Sequence, residues 1–99
     1  MVIRRGGRDF PFTESGILAH APDAPGVYAI VNEREWIYIG EADDLQKQLL
    51  AHVRSTASVI ARSIPTRFSF EVVYHAELRG ARQHALILQF HPRCNAVLV

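Results

Sequence analysis

The chain has 99 residues, of which 48% are hydrophobic and 21% charged, values typical of one globular domain and not of a disordered chain. Its single cysteine cannot form an internal disulfide, and no Cys/His spacing predicts a zinc site, so a reducing, cytoplasmic location is expected. No apolar run approaches the roughly 18 residues of a membrane span, and we expect no membrane partner.

The charge is small overall but unevenly distributed. The formal net charge is +1, and ten of the eleven basic side chains are arginine. Residues 1–50 hold five basic and eight acidic side chains, whereas residues 51–99 hold six arginines against Glu71 and Glu77. Arginine forms forked, bidentate contacts with phosphate. The C-terminal half therefore presents either a phosphate-facing patch or an ordinary solvated surface, and the sequence leaves both interpretations open.

The first half of the chain predicts a helix followed by a hairpin. Thr13 is an N-cap candidate for a short helix that reaches about His20, before a turn rich in proline and aspartate. The β-rich runs "GVYAIVN" and "EWIYIG" come next, joined by the polar "NERE", which is typical of a hairpin. No repeat or linker-like tract interrupts the chain, so we predict a single domain over residues 1–99.

A helical period begins after the hairpin. From Asp43 onwards, Leu45, Leu49 and Val53 lie four residues apart, as one stripe of a helix requires. Aspartates at its start suit the positive end of the helix dipole. A further helical turn is predicted around residues 57–63.

The end of the chain predicts a strand and a last helix. The run "RFSFEVVYH" alternates as a strand does. In "RGARQHALILQFH" the helical spacing places three residues on one side, Ala81, Ala85 and Leu88. Pro92 ends this helix. The order of elements predicts an α/β fold, a small sandwich in which helices flank a three-stranded, mostly antiparallel sheet.

With these segments in order, the chain resembles the GIY-YIG nuclease family. The sequence GVY stands at Gly26–Tyr28 and YIG at Tyr38–Gly40, and the pair is followed by "ADDL" and by the closing "ALILQFHPRCN". The resemblance runs from about residue 25 to residue 95, so it covers most of the chain. It implies the GIY-YIG fold and, as the expected activity, metal-dependent cleavage of nucleic acid.

The resemblance also implies six active-site positions. In the family these are a tyrosine from each tripeptide, an arginine on the next helix, often a histidine one turn later, a metal-binding glutamate on the last helix, and an asparagine in the following loop. They correspond here to Tyr28, Tyr38, Gln48, His52, Gln83 and Asn95. The arginine and the glutamate are both replaced by glutamine. Shifting the alignment offers only Gln46 or Gln89 instead.

These replacements change the expected chemistry. Mg²⁺ or another divalent cation is expected for the family, but Gln83 offers a neutral carbonyl oxygen where a carboxylate would stand, so metal binding is expected to be weak or absent here. Gln48 offers only a neutral amide in place of an arginine that would stabilise charge on the phosphate. Tyr28 remains in the position of the general base or water-positioning group, and Tyr38 in that of the phosphate-orienting group.

Three functional hypotheses follow. The first is a GIY-YIG domain that binds nucleic acid, most simply DNA, with hydrolysis lost or strongly reduced; its candidate phosphate contacts are Arg54, Arg62, Arg82 and Arg93. The second is an active metal-dependent DNA endonuclease. In that case either the glutamines are engineered substitutions that inactivate the natural enzyme, or the site has been rewired. The third is a protein-interaction module that pairs with a partner through a sheet edge.

Overall fold

The structure is a computed structural model that describes residues 2–97. In chain order its elements are β1 (Phe10–Pro11), α1 (Glu14–His20), β2 (Gly26–Val31), β3 (Trp36–Ala42), α2 (Leu45–Arg54), α3 (Val59–Arg62), β4 (Arg67–Val72), α4 (Ala76–Phe90) and α5 (Arg93–Val97). The predicted α/β architecture is confirmed. Within the described residues, no helix is both long enough and apolar enough to cross a membrane.

The sheet has four strands in the order β1-β4-β2-β3, all paired antiparallel. The prediction of three strands is therefore one strand short. The additional strand β1 has only two residues, Phe10 opposite Phe68 and Pro11 opposite Arg67. Two residues are too few for an alternating pattern, and the proline, which lacks a backbone donor, is tolerated there because β1 lies at the edge of the sheet.

The helix starts follow the predicted capping residues. The Thr13 hydroxyl accepts a hydrogen bond from the Gly16 amide at 3.0 Å and begins α1. The Asp44 carboxylate accepts one from the Lys47 amide, also at 3.0 Å, and begins α2. Each bond satisfies a backbone donor that the first turn of a helix leaves without a partner, and such a cap typically stabilises by about 1 kcal/mol.

Helices cover both faces of the sheet, and alternation along each strand divides the core between them. On one face, which we call the α2 face, Tyr28, Phe68 and Phe70 pack with Leu45 and Leu49 of α2. On the opposite face, the α4 face, the core residues are Ile3, Val27, Ala29, Ile39 and Leu86. Each fully buried aliphatic side chain contributes about 1.5–3 kcal/mol, so both layers are needed to hold a domain of this size.

Helix α4 differs from its prediction. It begins at Ala76, and the side formed by small and apolar residues, Ala81, Ala85 and Leu88, is exposed. Its buried residues are instead Arg79 and Leu86. The Arg79 guanidinium can be buried because it donates to the backbone carbonyls of residues 73 and 74 and to the Asp43 carboxylate. A hydrophobic pattern does not register a buried arginine, so the helical spacing did not identify the buried side of the helix.

Candidate active site

The two tripeptides meet on the α2 face. Tyr28 from β2 is only 1% exposed, and its hydroxyl lies 2.7 Å from Nε2 of His52 on α2. Tyr38 from β3 lies beside both, with ring centroids 6.1 Å from Tyr28 and 5.6 Å from His52. Three of the six predicted site residues therefore form one cluster. With Gln48, one turn earlier on α2, we call this cluster the tyrosine pocket.

Gly40, the glycine of YIG, explains how the tyrosines come together. A Cβ at this position would lie 2.5 Å from Cζ of Tyr28 and 2.8 Å from Cε2 of Tyr38, closer than van der Waals contact allows. The Tyr28 ring occupies the space that a side chain at position 40 would fill. Gly26, the glycine of GVY, is similarly constrained, since a Cβ there would lie 2.8 Å from Leu45 Cδ1 and would collide with the Glu71 carbonyl oxygen.

The tyrosine pocket favours neutral side chains. Burial raises the pKa of Tyr28 well above its usual range, and the neighbouring Tyr38 raises it further, against a smaller opposing contribution from Gln48. Burial also raises the pKa of Tyr38, with a lesser contribution from Cys94, and lowers the pKa of His52. At neutral pH both phenols are therefore protonated and the imidazole is uncharged. The Tyr28 hydroxyl and Nε2 of His52 share one hydrogen bond, whose direction depends on the imidazole tautomer.

Gln48 lies at the exposed rim of the tyrosine pocket. It is four residues before His52 on α2, so both side chains project from the same face of the helix. A cation at this position would stabilise a phenolate on Tyr28 by direct charge interaction. The neutral amide supplies only a hydrogen bond.

Gln83 and Asn95 meet at a different place, the outer edge of β3. The Asn95 side chain accepts from the Ile39 amide and donates to the Ile39 carbonyl, both at 2.8 Å. Gln83 donates to the same carbonyl at 3.4 Å. The predicted loop position of Asn95 is wrong, because Asn95 lies in the short helix α5, which forms after Pro92 ends α4. Asn95 thereby satisfies backbone groups that an edge strand would otherwise leave open.

The donor set at Gln83 does not fit a divalent cation. Its amide nitrogen is directed at a backbone carbonyl, and a glutamine contributes no charge to replace the waters that Mg²⁺ holds tightly. Over residues 2–97, no three His, Cys, Asp or Glu side chains lie close enough together to hold a metal ion.

Three of the four candidate phosphate-binding arginines are in ion pairs with carboxylates. Arg54 pairs with Glu14 at 2.7 Å, Arg82 with Glu71 at 2.8 Å and Arg93 with Glu35 at 3.1 Å. Arg62 is exposed and makes no ion pair with any other residue of the described range. Arg82 lies on the α4 face, away from the tyrosine pocket, so the four do not form one surface.

Two parts of this arrangement could not be found from the sequence pattern. The backbone of Ile39, where Gln83 and Asn95 meet, carries the same groups in any residue, so no side-chain pattern marks it. Glu71 is a buried carboxylate on β4 that binds Arg82 through two hydrogen bonds and the Ile3 amide through a third. Its signal in the sequence is weak, because β4 also contains the polar residues Arg67 and Ser69.

Comparison with known proteins identifies similar domains. The chain is 38% identical over 86 residues to UvrABC system protein C of Nitrobacter hamburgensis and 36% identical over 90 residues to that of Nitrobacter winogradskyi. Each match covers 82% of this chain but 12% of the relative, so the chain spans about one eighth of the length of these proteins. A scan against models of protein families finds no match.

Solved structures are also similar to this chain. The GIY-YIG N-terminal endonuclease domain of UvrC from Thermotoga maritima, bound to magnesium as its catalytic divalent cation, superposes with a TM-score of 0.68 at 28% identity, over 78% of this chain and 88% of that one. A point mutant of the same domain gives the same TM-score. With the two tripeptides converging on one pocket and the expected sheet and helices around it, the chain belongs to the GIY-YIG nuclease family.

Proposed function

We propose that this domain binds DNA and that its ability to hydrolyse phosphodiesters is lost or strongly reduced. The similar solved domains are named as endonuclease domains of UvrC, which supports DNA as the ligand class. Since the chain spans 12% of its curated relatives, the activity of the whole relatives is not transferred to it. We place this binding in the cytoplasm, in agreement with the lone cysteine.

The state of Tyr28 carries the proposal. A phenol activates water only if it loses a proton, and burial of Tyr28 opposes that loss. An adjacent cation would compensate, but Gln48 is neutral, so the phenol stays protonated at physiological pH. Its hydroxyl is moreover hydrogen-bonded to His52 at 2.7 Å, which leaves Tyr28 in a buried structural role.

The expected loss of rate is large. Removing one preorganised donor that stabilises transition-state charge typically costs roughly 10²- to 10³-fold in rate. The poor fit of Gln83 to a divalent cation removes a second contribution, namely charge neutralisation at the phosphate and activation of water. No step of hydrolysis is therefore assigned to a metal in this domain.

The two glutamines should weaken DNA binding less than they weaken catalysis. The Gln48 amide at the rim can donate hydrogen bonds to phosphate oxygens in its neutral state, and so can the half-buried Tyr38 hydroxyl. Phosphate contacts by neutral donors and exposed arginines do not require a metal. DNA should therefore bind without a divalent cation.

Fluorescence anisotropy of a labelled branched DNA in EDTA tests this proposal. Binding at low salt, weakening as salt rises, is expected, and a denaturing gel of the same DNA after incubation with Mg²⁺ should show intact strands. Absence of binding at low salt would overturn the proposal, and so would strand cleavage in the gel.

An active endonuclease is the second candidate, and the contact between Tyr28 and His52 favours it. Neutral His52 can accept the Tyr28 proton through Nε2 while the phenol oxygen takes a proton from water, so the pair forms a short relay. Nicking of supercoiled plasmid by the chain, lost in Tyr28→Phe, would support this candidate. Unchanged plasmid with both Mg²⁺ and Mn²⁺ would exclude it.

Both edges of the sheet limit the backbone groups with which a partner strand could pair. Asn95 already bonds the Ile39 backbone at the β3 edge. The opposite edge is β1, with two residues and a proline. This third candidate requires a dimer or a complex with a partner. Light scattering tests it, and a monomer would count against it.

A further inference from the structure

Six exposed arginines surround the turn between β2 and β3, at one end of the sheet. Two clefts meet there, one of about 240 Å³ and one of about 350 Å³. The first is lined by arginines from the N-terminal segment and the turn, the second by arginines from the turn, α3 and the start of α5. We call them together the arginine end: Arg4, Arg5, Arg8, Arg34, Arg62 and Arg93.

The positive charge of the chain is concentrated at the arginine end. The arginine end and the neighbouring Arg67 hold seven of the eleven basic side chains, against only three carboxylates, Asp9, Glu33 and Glu35, a local net charge of +4. The rest of the chain holds four basic and seven acidic side chains, a net charge of −3. The small overall charge of +1 is therefore compatible with a strongly cationic arginine end. The electric field of such a surface attracts polyanions.

Hydrogen bonds hold this surface in a defined shape. Asn32 accepts from the amides of Arg34 and Glu35, which closes the turn. Its amide nitrogen donates to the Ser63 carbonyl at 3.0 Å, which ties the segment after α3 to the turn. Arg34 and Arg62 are thus presented side by side on linked backbone.

The N-terminal segment is also anchored. The Ile3 side chain is 2% exposed, and its amide donates to the buried Glu71 carboxylate at 2.7 Å. A turn follows, in which Gly6 has a φ of 71° and the Gly7 amide donates to the Arg4 carbonyl. Arg4 and Arg5 are therefore held next to the hairpin on a fixed backbone. Ordered cations lose less entropy on binding phosphate than cations on a mobile tail.

Most of these arginines are available to a ligand. Within the described part of the chain, Arg4, Arg5, Arg34 and Arg62 make no ion pair. Arg93 pairs with Glu35, but both side chains remain at least one-third exposed. A surface ion pair of this kind contributes little, so phosphate can replace the carboxylate.

The arginine end and the tyrosine pocket share two strands. The turn joins β2 and β3, which carry Tyr28 and Tyr38, and Arg93 begins α5, whose Cys94 packs in the core of the α2 face. We propose that the arginine end binds the phosphate backbone of duplex DNA on one side of the tyrosine pocket, because the rest of the chain has a net negative charge. This inference rests on the proposed function and specifies the surface and direction through which DNA is held.

Salt-dependent binding to a labelled blunt duplex of about 20 base pairs, in EDTA, tests the inference with single-residue resolution. Each phosphate contact contributes about 0.9 to the slope of log affinity against log salt. We therefore expect Arg34→Gln and Arg62→Gln each to reduce the slope by about 0.9, and the double variant by about twice that. Lys47→Gln, which removes one charge from α2, outside the arginine end, is the matched control and should leave the slope unchanged.

The results of this experiment distinguish a failure of the inference from a failure of the proposed function on which it rests. If the unmodified chain binds DNA and Arg34→Gln and Arg62→Gln behave like Lys47→Gln, the arginine end is not the DNA surface, while the proposed function stands. Tighter binding of a duplex RNA of the same length would also overturn the inference. If the unmodified chain does not bind DNA at low salt, the proposed function itself fails.

Discussion

On the α4 face a buried carboxylate forms an ion pair, whereas the tyrosine pocket on the α2 face consists of neutral side chains. Glu71 is 9% exposed, yet its carboxylate receives three hydrogen bonds from Arg82 and the Ile3 amide. In the tyrosine pocket, Gln48 and the surrounding side chains are neutral at physiological pH. The absence of charge is thus local to this pocket and is not a general feature of the domain.

The comparison indicates what each charge does. The Glu71 pair ties the N-terminal segment, β4 and α4 together, so its removal should affect folding. Charge in the tyrosine pocket would serve a bound phosphate, so its absence should affect chemistry and leave folding intact. The two regions can therefore be separated by experiment.

Introducing the two charges that the resemblance implies for the family should give the largest effect. In Gln48→Arg with Gln83→Glu, the arginine can stabilise charge on the phosphate and the glutamate can hold a divalent cation. We expect plasmid nicking with Mg²⁺ or Mn²⁺ to rise by roughly 10²- to 10³-fold or more over the unmodified chain. The same double variant with Tyr28→Phe is the control. If the double variant stays inactive, the site has changed beyond these two positions.

Removing the retained charge should destabilise the fold. Glu71→Gln leaves Arg82 without its bidentate partner, and breaking a buried pair costs about 3–5 kcal/mol. We expect a loss in unfolding free energy of about 3 kcal/mol, the lower end, because the Arg82 side chain is 33% exposed. Urea unfolding measures it. Glu14→Gln, which breaks the exposed pair with Arg54, is the control and should cost much less, because solvent screens an exposed pair. Equal losses in the two variants would contradict the distinction.

A methyl group at Gly40 should disturb the tyrosine pocket sterically. The Cβ of Gly40→Ala would press on the Tyr28 and Tyr38 rings, and overpacking of this kind costs about 1–3 kcal/mol. Gly80→Ala on α4 is the control, since the nearest atom to its Cβ would be Glu41 Oε2 at 3.7 Å. That variant should gain up to about 1 kcal/mol from helix propensity. A neutral effect of Gly40→Ala in thermal unfolding would show that the rings can move apart.

The smallest effect concerns pH. Because burial lowers the pKa of His52, the unfolded chain takes up this proton before the folded chain does. Above the unfolded pKa of about 6.5, protonation of His52 does not affect stability. As the pH falls from there towards the lower folded pKa, the free energy of unfolding decreases, because the unfolded chain binds the proton more readily. His52→Gln should flatten this part of the stability profile, measured by urea unfolding at each pH. Parallel profiles for this variant and the unmodified chain would contradict the neutral state of His52.

Local signals in the sequence predicted most of the fold. Thr13 marked the first helix, the two β-rich runs around "NERE" marked the hairpin, and Leu45 and Leu49 marked the buried side of α2. The two-residue β1 was missed because its pairing depends on β4, almost 60 residues later. The buried side of α4 was missed because Arg79 is stabilised there by tertiary contacts that hydrophobic periodicity does not describe.

The candidate site was predicted in part. Tyr28, Tyr38 and His52 do converge, and their resemblance to the family's positions was sufficient to find them. The hydrogen bond that occupies Tyr28 depends on the packing of α2 against β2, which spacing alone does not determine. Likewise, Arg4 and Arg34 are thirty residues apart in sequence and meet only because Glu71 anchors the N-terminal segment beside the hairpin.

Calorimetric titration of Mn²⁺ into the unmodified chain and into Gln83→Glu tests the central claim most directly. The claim is that the domain keeps the GIY-YIG pocket without the charges that its chemistry uses. We predict no measurable heat of binding for the unmodified chain and saturable binding of one ion for Gln83→Glu, since a carboxylate is the missing ligand. Tight, saturable binding of Mn²⁺ by the unmodified chain would contradict the claim and would mean that other residues hold the metal.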